Sequence, residues 1–260
     1  KFSQEIGSKY SIGMNSGTST LHSILEAKQF KPGSEVIVPA LSVIMNTTSV
    51  IHANLVPVYT DIEKESFLID INDLIKKITS KTVAVVAVSL YGRVPNLKKL
   101  RDICDQNDIM LIEDNAQCIS AICDNIKIGS IGDACSWSFE NTKHLSTGEG
   151  GMVTTNNEKL AQNIRKVAGH GFKNLEAKEG RVRLRDNIFQ DPDYKRHDIL
   201  GWNYRMSEFT AAIGLAQLER LSELIRMRRF SANTFIDVTG NNKFLYFPKL
   251  KNNETHDFYT

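Results

Sequence analysis

Between Thr82 and Leu90 the chain reads Thr-Val-Ala-Val-Val-Ala-Val-Ser-Leu, with no alternation of apolar and polar side chains. A strand that is apolar on both faces has to be covered on both, and the architecture that does so is a parallel sheet between two helical layers. The neighbouring segments keep that rhythm. Leu21, Ile24 and Leu25 at helical spacing predict a helix over 18–28, ended by Lys31-Pro32-Gly33, and the Val-Ile-Val inside 35–39 predicts a strand. Helices are expected at 46–53, 71–78 and 97–107, and strands at 56–60 and 110–113. Two more strands, 134–139 and 151–155, flank a loop containing Lys143, and an amphipathic helix follows at 158–167.

From His170 to Leu200 the pattern gives way to charged and Gly-containing sequence, which reads as a long excursion from the core. A helical pattern resumes at Ser207 and runs to about Asn233. After Asn241 come short strand-like pieces, 244–247 and 256–260. The expected organisation is a large domain over 1–235 and the beginning of a smaller C-terminal domain over 236–260, inside which the sequence stops. There is no internal repeat and no low-complexity segment.

With 260 residues, 41% of them hydrophobic, the chain can bury one sizeable core. Its 32 basic and 30 acidic residues leave a formal charge of +2, which argues against a nucleic-acid or anionic-membrane partner. Cys104, Cys118, Cys123 and Cys135 show neither C-x-x-C nor zinc-finger spacing, so buried free thiols are expected, and no metal. The start, Lys1-Phe2-Ser3-Gln4-Glu5, lacks the apolar stretch of a signal peptide, and a cytoplasmic enzyme is expected.

Three stretches carry chemistry. Asn15-Ser16-Gly17-Thr18-Ser19-Thr20 leads into a helix, where free N–H groups and the positive dipole end suit a phosphate; an ordinary N-cap has the same look. Glu113-Asp114-Asn115-Ala116-Gln117 lies at the C-terminal end of a buried strand, the edge where open α/β sheets bind ligands. An Asp there can hold a proton on a heteroaromatic nitrogen and keep the ring able to accept electrons. In Ser138-Phe139-Glu140-Asn141-Thr142-Lys143, followed by Thr147-Gly148-Glu149-Gly150-Gly151, a lysine between a strand and a Gly-rich turn can serve as a nucleophile.

Taken in order, Gly17-Thr18-Ser19, Asp114-x-x-Gln117, Ser138-x-x-x-Thr142-Lys143, Gly148-Glu149-Gly150-Gly151 and Gly201-x-Asn203-Tyr204-Arg205-Met206-Ser207-Glu208 resemble the DegT/DnrJ/EryC1/StrS family of sugar aminotransferases. Pro32-Gly33-x-Glu35-Val36-Ile37-Val38-Pro39, Pro57-Val58-x-x-Asp61-Ile62 and Leu90-Tyr91-Gly92 extend the match over most of the chain. The resemblance implies an α/β protein of fold type I, the aspartate-aminotransferase-like transferase fold, with a mixed, mostly parallel sheet flanked by helices. It implies pyridoxal 5′-phosphate as cofactor, joined to Lys143 as a Schiff base, with Asp114 on the pyridine nitrogen and Gln117 near the phenolic oxygen. Gly17, Thr18, Ser19 and Ser138 would hold the phosphate, and Asn203 would reach the phosphate of the neighbouring subunit in a homodimer with shared sites. The implied reaction moves an amino group from glutamate or glutamine to a keto-sugar, one linked to a nucleotide.

Two positions depart from the family pattern. Where relatives carry an aromatic residue over the cofactor ring, the alignment falls on Val43, and His144 follows Lys143 where Asn or Gln is more usual. The rival within the family is a sugar dehydratase, which resembles this fold but has histidine in place of the lysine; Lys143 opposes it. A non-catalytic relative that binds the cofactor is a further alternative. A dinucleotide-binding protein would rest on Gly129-x-x-Gly132 alone, with no G-x-G-x-x-G after the first strand. The basic residues Arg181, Arg183, Arg185, Lys195 and Arg196 of the excursion could meet substrate phosphates, or simply form a solvated face.

Overall fold

The structure is a computed structural model that describes residues 1–247 and 249–259. A short helix α1 (Phe2–Ile6) and strand β1 (Tyr10–Met14) lead into α2 (Gly17–Lys28). Strict alternation follows: β2 (Glu35–Pro39), α3 (Met45–His52), β3 (Val56–Thr60), α4 (Ile71–Lys77), β4 (Thr82–Val88), α5 (Leu97–Gln106) and β5 (Met110–Asp114). A two-stranded hairpin of β6 (Ile122–Cys123) and β7 (Ile126–Lys127) precedes β8 (Ala134–Ser138), β9 (Gly151–Thr155) and α6 (Glu158–Ala168). The excursion holds a second small hairpin, β10 (Leu175–Glu176) and β11 (Gly180–Arg181), and one turn of helix, α7 (Asp186–Phe189). Helices α8 (Glu208–Glu219) and α9 (Leu221–Thr239) complete the regular structure.

Seven strands form one sheet in the order β1-β9-β8-β5-β4-β2-β3. The pairs β2–β3, β2–β4, β4–β5 and β5–β8 are parallel, whereas β9 is antiparallel to both β8 and β1. The C-terminal ends of β1, β4, β5 and β8 therefore lie at one edge, together with the start of β9. Successive side chains of β4 go to opposite faces. Val85 and Ala87 pack with Leu100, Leu111 and Trp137 on one side, while Ala84, Val86 and Val88 pack with Ile24, Ile112 and Ile164 on the other. The uniform apolar run is thus explained by two separate cores, one on each face of the strand.

Several sequence expectations are corrected. Strand β1 was not anticipated, although Tyr10, Ile12 and Met14 alternate with Ser11 and Gly13; it is short, sits at the sheet edge and pairs along its length with β9, with one isolated bridge from Met14 to Arg205. The strand expected to reach Leu90 ends at Val88, where a 3₁₀ turn over Leu90–Gly92 takes the chain off the sheet. The single helix expected over 207–233 is two helices that meet at Arg220, the second running to Thr239. No Gly or Pro marks this break. Its effect is to turn Leu221 and Ile225 into the core, whereas α8 buries no residue at all. The pieces at 244–247 and 256–259 are not strands, since neither joins a sheet ladder among the described residues, and Thr260 lies outside them.

All four cysteines are free and buried. Burial pushes the Cys104 thiol up to about 12 and that of Cys123 to about 11, which leaves both inert as nucleophiles. No helix among the described residues is long and apolar enough to cross a membrane.

Candidate active site

The C-terminal edge of the sheet carries a cavity of about 310 Å³ lined by Gly17 and Thr18 from the start of α2, Asp114 at the end of β5 and Gln117 beyond it, and Ser138 at the end of β8 and Lys143 beyond it. Three chain segments far apart in sequence meet here because parallel strands deliver their C-terminal ends to one side.

The α2 start is held open by its cap. Ser16 Oγ accepts the Ser19 N–H at 3.1 Å, and Ser19 Oγ in turn accepts the Ser16 N–H at 3.2 Å, a reciprocal capping box. Ser19 is spent on that box and does not line the cavity. Gly17 and Thr18 do line it, with first-turn N–H groups that the helix itself cannot use. At Gly17 a Cβ would come within 2.8 Å of the Ser138 Cβ, and at Gly151 one would collide with the Ser16 carbonyl oxygen, so glycine at both positions lets the helix start close on the sheet edge. Such an anion-sized cradle fits a phosphate.

Asp114 and Glu113 end the same strand and face opposite ways. Glu113 accepts four hydrogen bonds, from the N–H groups of Gly129 (2.6 Å), Ile131 (3.1 Å) and Gly132 (2.7 Å) and from Asn115 Nδ2 (3.3 Å). The Gly129-x-x-Gly132 stretch is thereby accounted for, as a cradle for a buried side chain of the protein itself. Asp114 is equally buried but accepts one backbone N–H, from Ala116 at 3.1 Å, and its carboxyl reaches the cavity. Burial raises its pKa above the ordinary carboxylate value, and the Ala116 N–H, Asn46 and the charge of Lys143 offset that only in part.

Gln117 Oε1 accepts the Tyr91 N–H at 2.8 Å, which leaves the amide N–H2 to face the cavity. Tyr91 itself is held at φ 56 in the 3₁₀ turn after β4. Lys143 Nζ donates to the Tyr259 hydroxyl at 3.0 Å, and the same lysine also lines a second cavity of about 970 Å³ bounded by Tyr91, Arg93, Arg228 and Tyr259. His144 lines that second cavity and not the first, and its Nε2–H donates to the Asp257 carbonyl at 3.0 Å. Val43 and Met45 form the wall where an aromatic cover was sought, and Val88 and Ala116 also line the pocket.

Besides Ser19, a second expected member is not brought in. Asn203 does not line the cavity; it is exposed, accepts from Arg205 Nε at 3.0 Å, and bridges to Gly169. Ser16, Asn46 and Tyr259 were missed as site residues. The Ser-x-x-Ser spacing of a capping box could have flagged Ser16, whereas no local signal marks Asn46 or Tyr259, because only tertiary packing brings them here.

The profile of the DegT/DnrJ/EryC1/StrS aminotransferase family matches residues 1–259. The chain belongs to that family. It is 32% identical over 235 residues to a GDP-perosamine synthase of Vibrio cholerae, a match covering 90% of this chain and 59% of that protein. Among solved structures it superposes on an aminotransferase from Psychrobacter cryohalolentis with a TM-score of 0.87 at 30% identity, covering 99% of this chain and 66% of the other. A GDP-4-keto-6-deoxy-D-mannose-3-dehydratase of E. coli with bound hydrated PLP gives a TM-score of 0.87 at 27% identity, covering 99% and 67%. The chain thus spans about 59% of the synthase and has fold type I, a mostly parallel sheet flanked by helices. The group held in that dehydratase structure is PLP, pyridoxal 5′-phosphate. The residues present fit it: an open helix start closed upon by glycine, a buried carboxyl with a single N–H partner, and a lysine amine share one cavity.

Proposed function

We propose that this chain is the cofactor-binding part of an aminotransferase that passes an amino group from glutamate or glutamine to a keto-sugar linked to a nucleotide. The convergence of Lys143, Asp114 and Gln117 on the cavity at the α2 start carries this reading. It is supported by the synthase and aminotransferase relatives, and by Lys143 in the place where the dehydratase pattern has histidine. In the proposed division, residues 1–235 are the large domain and 236–260 open a second one; a cytoplasmic location is part of the same proposal.

When bound, pyridoxal phosphate supplies an electron sink for negative charge developing on a substrate carbon. Gly17, Thr18 and Ser138 would hold its phosphate with N–H and hydroxyl donors. Asp114 would keep a proton at the ring nitrogen, giving its buried carboxyl a directly bonded cation beyond the more distant charge of Lys143. Gln117 would donate its amide N–H to the phenolic oxygen. Lys143 Nζ would act twice, holding the cofactor and, once displaced by the amino donor, moving the proton at the donor's α-carbon. Because Lys143 stands on the walls of both cavities, a donor or sugar entering the larger one meets the amine directly.

The proposed assembly is a homodimer with shared sites. In its support, α8 presents Phe209 at 87% exposure together with Ile213 and Leu215, Leu200 is 96% exposed, and Asn203 does not line its own chain's cavity. An apolar face of that kind needs a partner, and a second copy is the commonest. Mixed dimers of Lys143→Ala and Asn203→Ala subunits would place both lesions in one site and leave the other whole; recovered activity supports sharing, and none opposes it.

The reaction is tested by incubating the full chain with pyridoxal phosphate, glutamate or glutamine, and a nucleotide-linked keto-sugar. Incorporation of nitrogen into the sugar with release of the donor's oxo-acid is expected. A deoxygenated, nitrogen-free sugar product would favour the dehydratase instead.

A further inference from the structure

The segment ending at Tyr259 is tied down more densely than its lack of secondary structure suggests. Asp257 is fully buried, and its Oδ2 accepts the N–H groups of Ile119 (2.8 Å), Ser120 (2.6 Å) and Ala121 (3.1 Å), while Oδ1 accepts Arg229 Nη2 at 2.8 Å. The Asp257 N–H donates to the Gly92 carbonyl at 2.9 Å and the Tyr259 N–H to the Tyr91 carbonyl at 3.0 Å. Arg228 Nη1 from α9 closes on the Tyr259 carbonyl at 3.0 Å. These bonds run to the loop after Gln117, to the turn after β4 and to α9. Backbone ties, not the phenol, therefore place the Tyr259 side chain.

The phenol so placed meets Lys143. Its oxygen lies 3.0 Å from Nζ and 2.8 Å from Thr142 Oγ1, and Nζ stands 4.4 Å from the ring centroid. Proton directions follow from counting. Thr142 Oγ1 donates its only proton to Glu140 Oε2 at 2.5 Å, so Tyr259 donates to Thr142, and the phenol oxygen turns a lone pair to Nζ. The amine gains a charge-assisted hydrogen bond and a cation–π contact from one side chain. Burial opposes ionisation of Tyr259, but the hydrogen bond from Lys143, the contact with Thr142 and the charge of Lys143 outweigh it, holding the phenol below the ordinary tyrosine value.

We propose that Tyr259 is a further residue of the catalytic site, whose phenol oxygen takes up the Lys143 amine whenever that amine is not joined to the cofactor and holds it at the cavity wall. The proposal rests on Lys143 being the cofactor lysine. A free lysine side chain spreads over many rotamers. Held by Tyr259, its amine keeps to the neighbourhood of the reacting carbon instead of sampling solvent, which is the effective-concentration advantage of a positioned group.

The test uses the full chain, loaded with pyridoxal phosphate and then freed of it by hydroxylamine. Limited acetylation with acetic anhydride, read by mass spectrometry, measures the accessibility of Lys143 against the surface lysines. Tyr259→Phe keeps the ring and removes the hydroxyl; it is expected to raise Lys143 labelling several-fold, slow re-attachment of pyridoxal phosphate several-fold, and lower kcat with little change in donor KM. Thr142→Val leaves Tyr259 intact, frees its proton to point at Nζ, and should shift labelling the same way by less. Labelling equal to wild type in both variants overturns the proposal. Borohydride fixation and peptide mapping of the wild-type chain separate the two readings: a pyridoxyl group on another lysine removes the site assignment itself, whereas one on Lys143 with unchanged labelling removes only the role of Tyr259.

Discussion

Glu113 and Asp114 are neighbours on one strand, both buried, and the chain treats them in opposite ways. Around Glu113 the loop 129–132 supplies three N–H groups and Asn115 a fourth donor, so the charge is compensated within the fold. Around Asp114 one backbone N–H is provided and the rest of the carboxyl is left toward the cavity. A fully satisfied carboxylate holds structure together; one left short of partners is a binding group waiting for a cation. The difference comes from strand alternation, which sends adjacent side chains to different faces and therefore to different neighbours.

Substitutions on the two sides should separate activity from stability. The largest effect is expected at the cavity: Lys143→Ala should abolish covalent attachment of the cofactor and cut transamination on the order of 10³-fold or more, with an unfolding midpoint near that of the wild type. Absorbance of the bound cofactor and denaturant titration read the two quantities. Asp114→Asn should bind the cofactor yet turn over about 10²-fold more slowly, since a neutral amide does not hold the ring proton. The cofactor-free form of this variant sharpens the contrast. The folded pKa of Asp114 lies above its unfolded value, so ionising it costs stability as pH rises through that interval and beyond. Asp114→Asn without cofactor should therefore be at least as stable as the wild type at neutral pH, and a clear loss of stability there would contradict the assignment.

Glu113→Gln should show the reverse. An amide in place of the carboxylate sets N–H against N–H in the 129–132 loop, which is expected to cost about 3 kcal/mol, while turnover per folded molecule stays near normal. A loss of turnover without a loss of stability would break the division between the two faces. The smallest effect is expected at Asp257, a second buried carboxylate built like Glu113. Burial works against its charge, but the N–H groups of Ser120 and Ile119, the Ser120 hydroxyl and the charge of His144 outweigh it and hold the carboxyl below the ordinary range. With the folded pKa below the unfolded value of about 3.9, the unfolded state binds more protons on acidification, so this contribution is present above that pH and lost beneath it. Asp257→Asn should flatten the acid limb of a stability–pH curve measured by urea unfolding; an unchanged acid limb would count against the stabilisation of the Asp257 carboxylate by the 119–121 N–H groups.

Much of this was legible in the residues themselves. The unbroken apolar run of β4 announced burial on two faces, the β/α alternation announced a parallel sheet, and the ordered motifs around Gly17, Asp114 and Lys143 marked residues that line one cavity, the candidate site. These features are local: a repeat of side-chain character over a few residues decides which face an element buries, and a short motif carries its own geometry. What tertiary structure alone decided is non-local. It set the break at Arg220, which no Gly or Pro foretells, and it left Asn203 outside the cavity of its own chain. It chose which acid at the end of β5 meets the loop 129–132 and which meets the cavity. It also laid Tyr259 on Lys143, because a segment without periodicity takes its place from the partners that satisfy its backbone and its buried charge, and those partners come from distant parts of the chain.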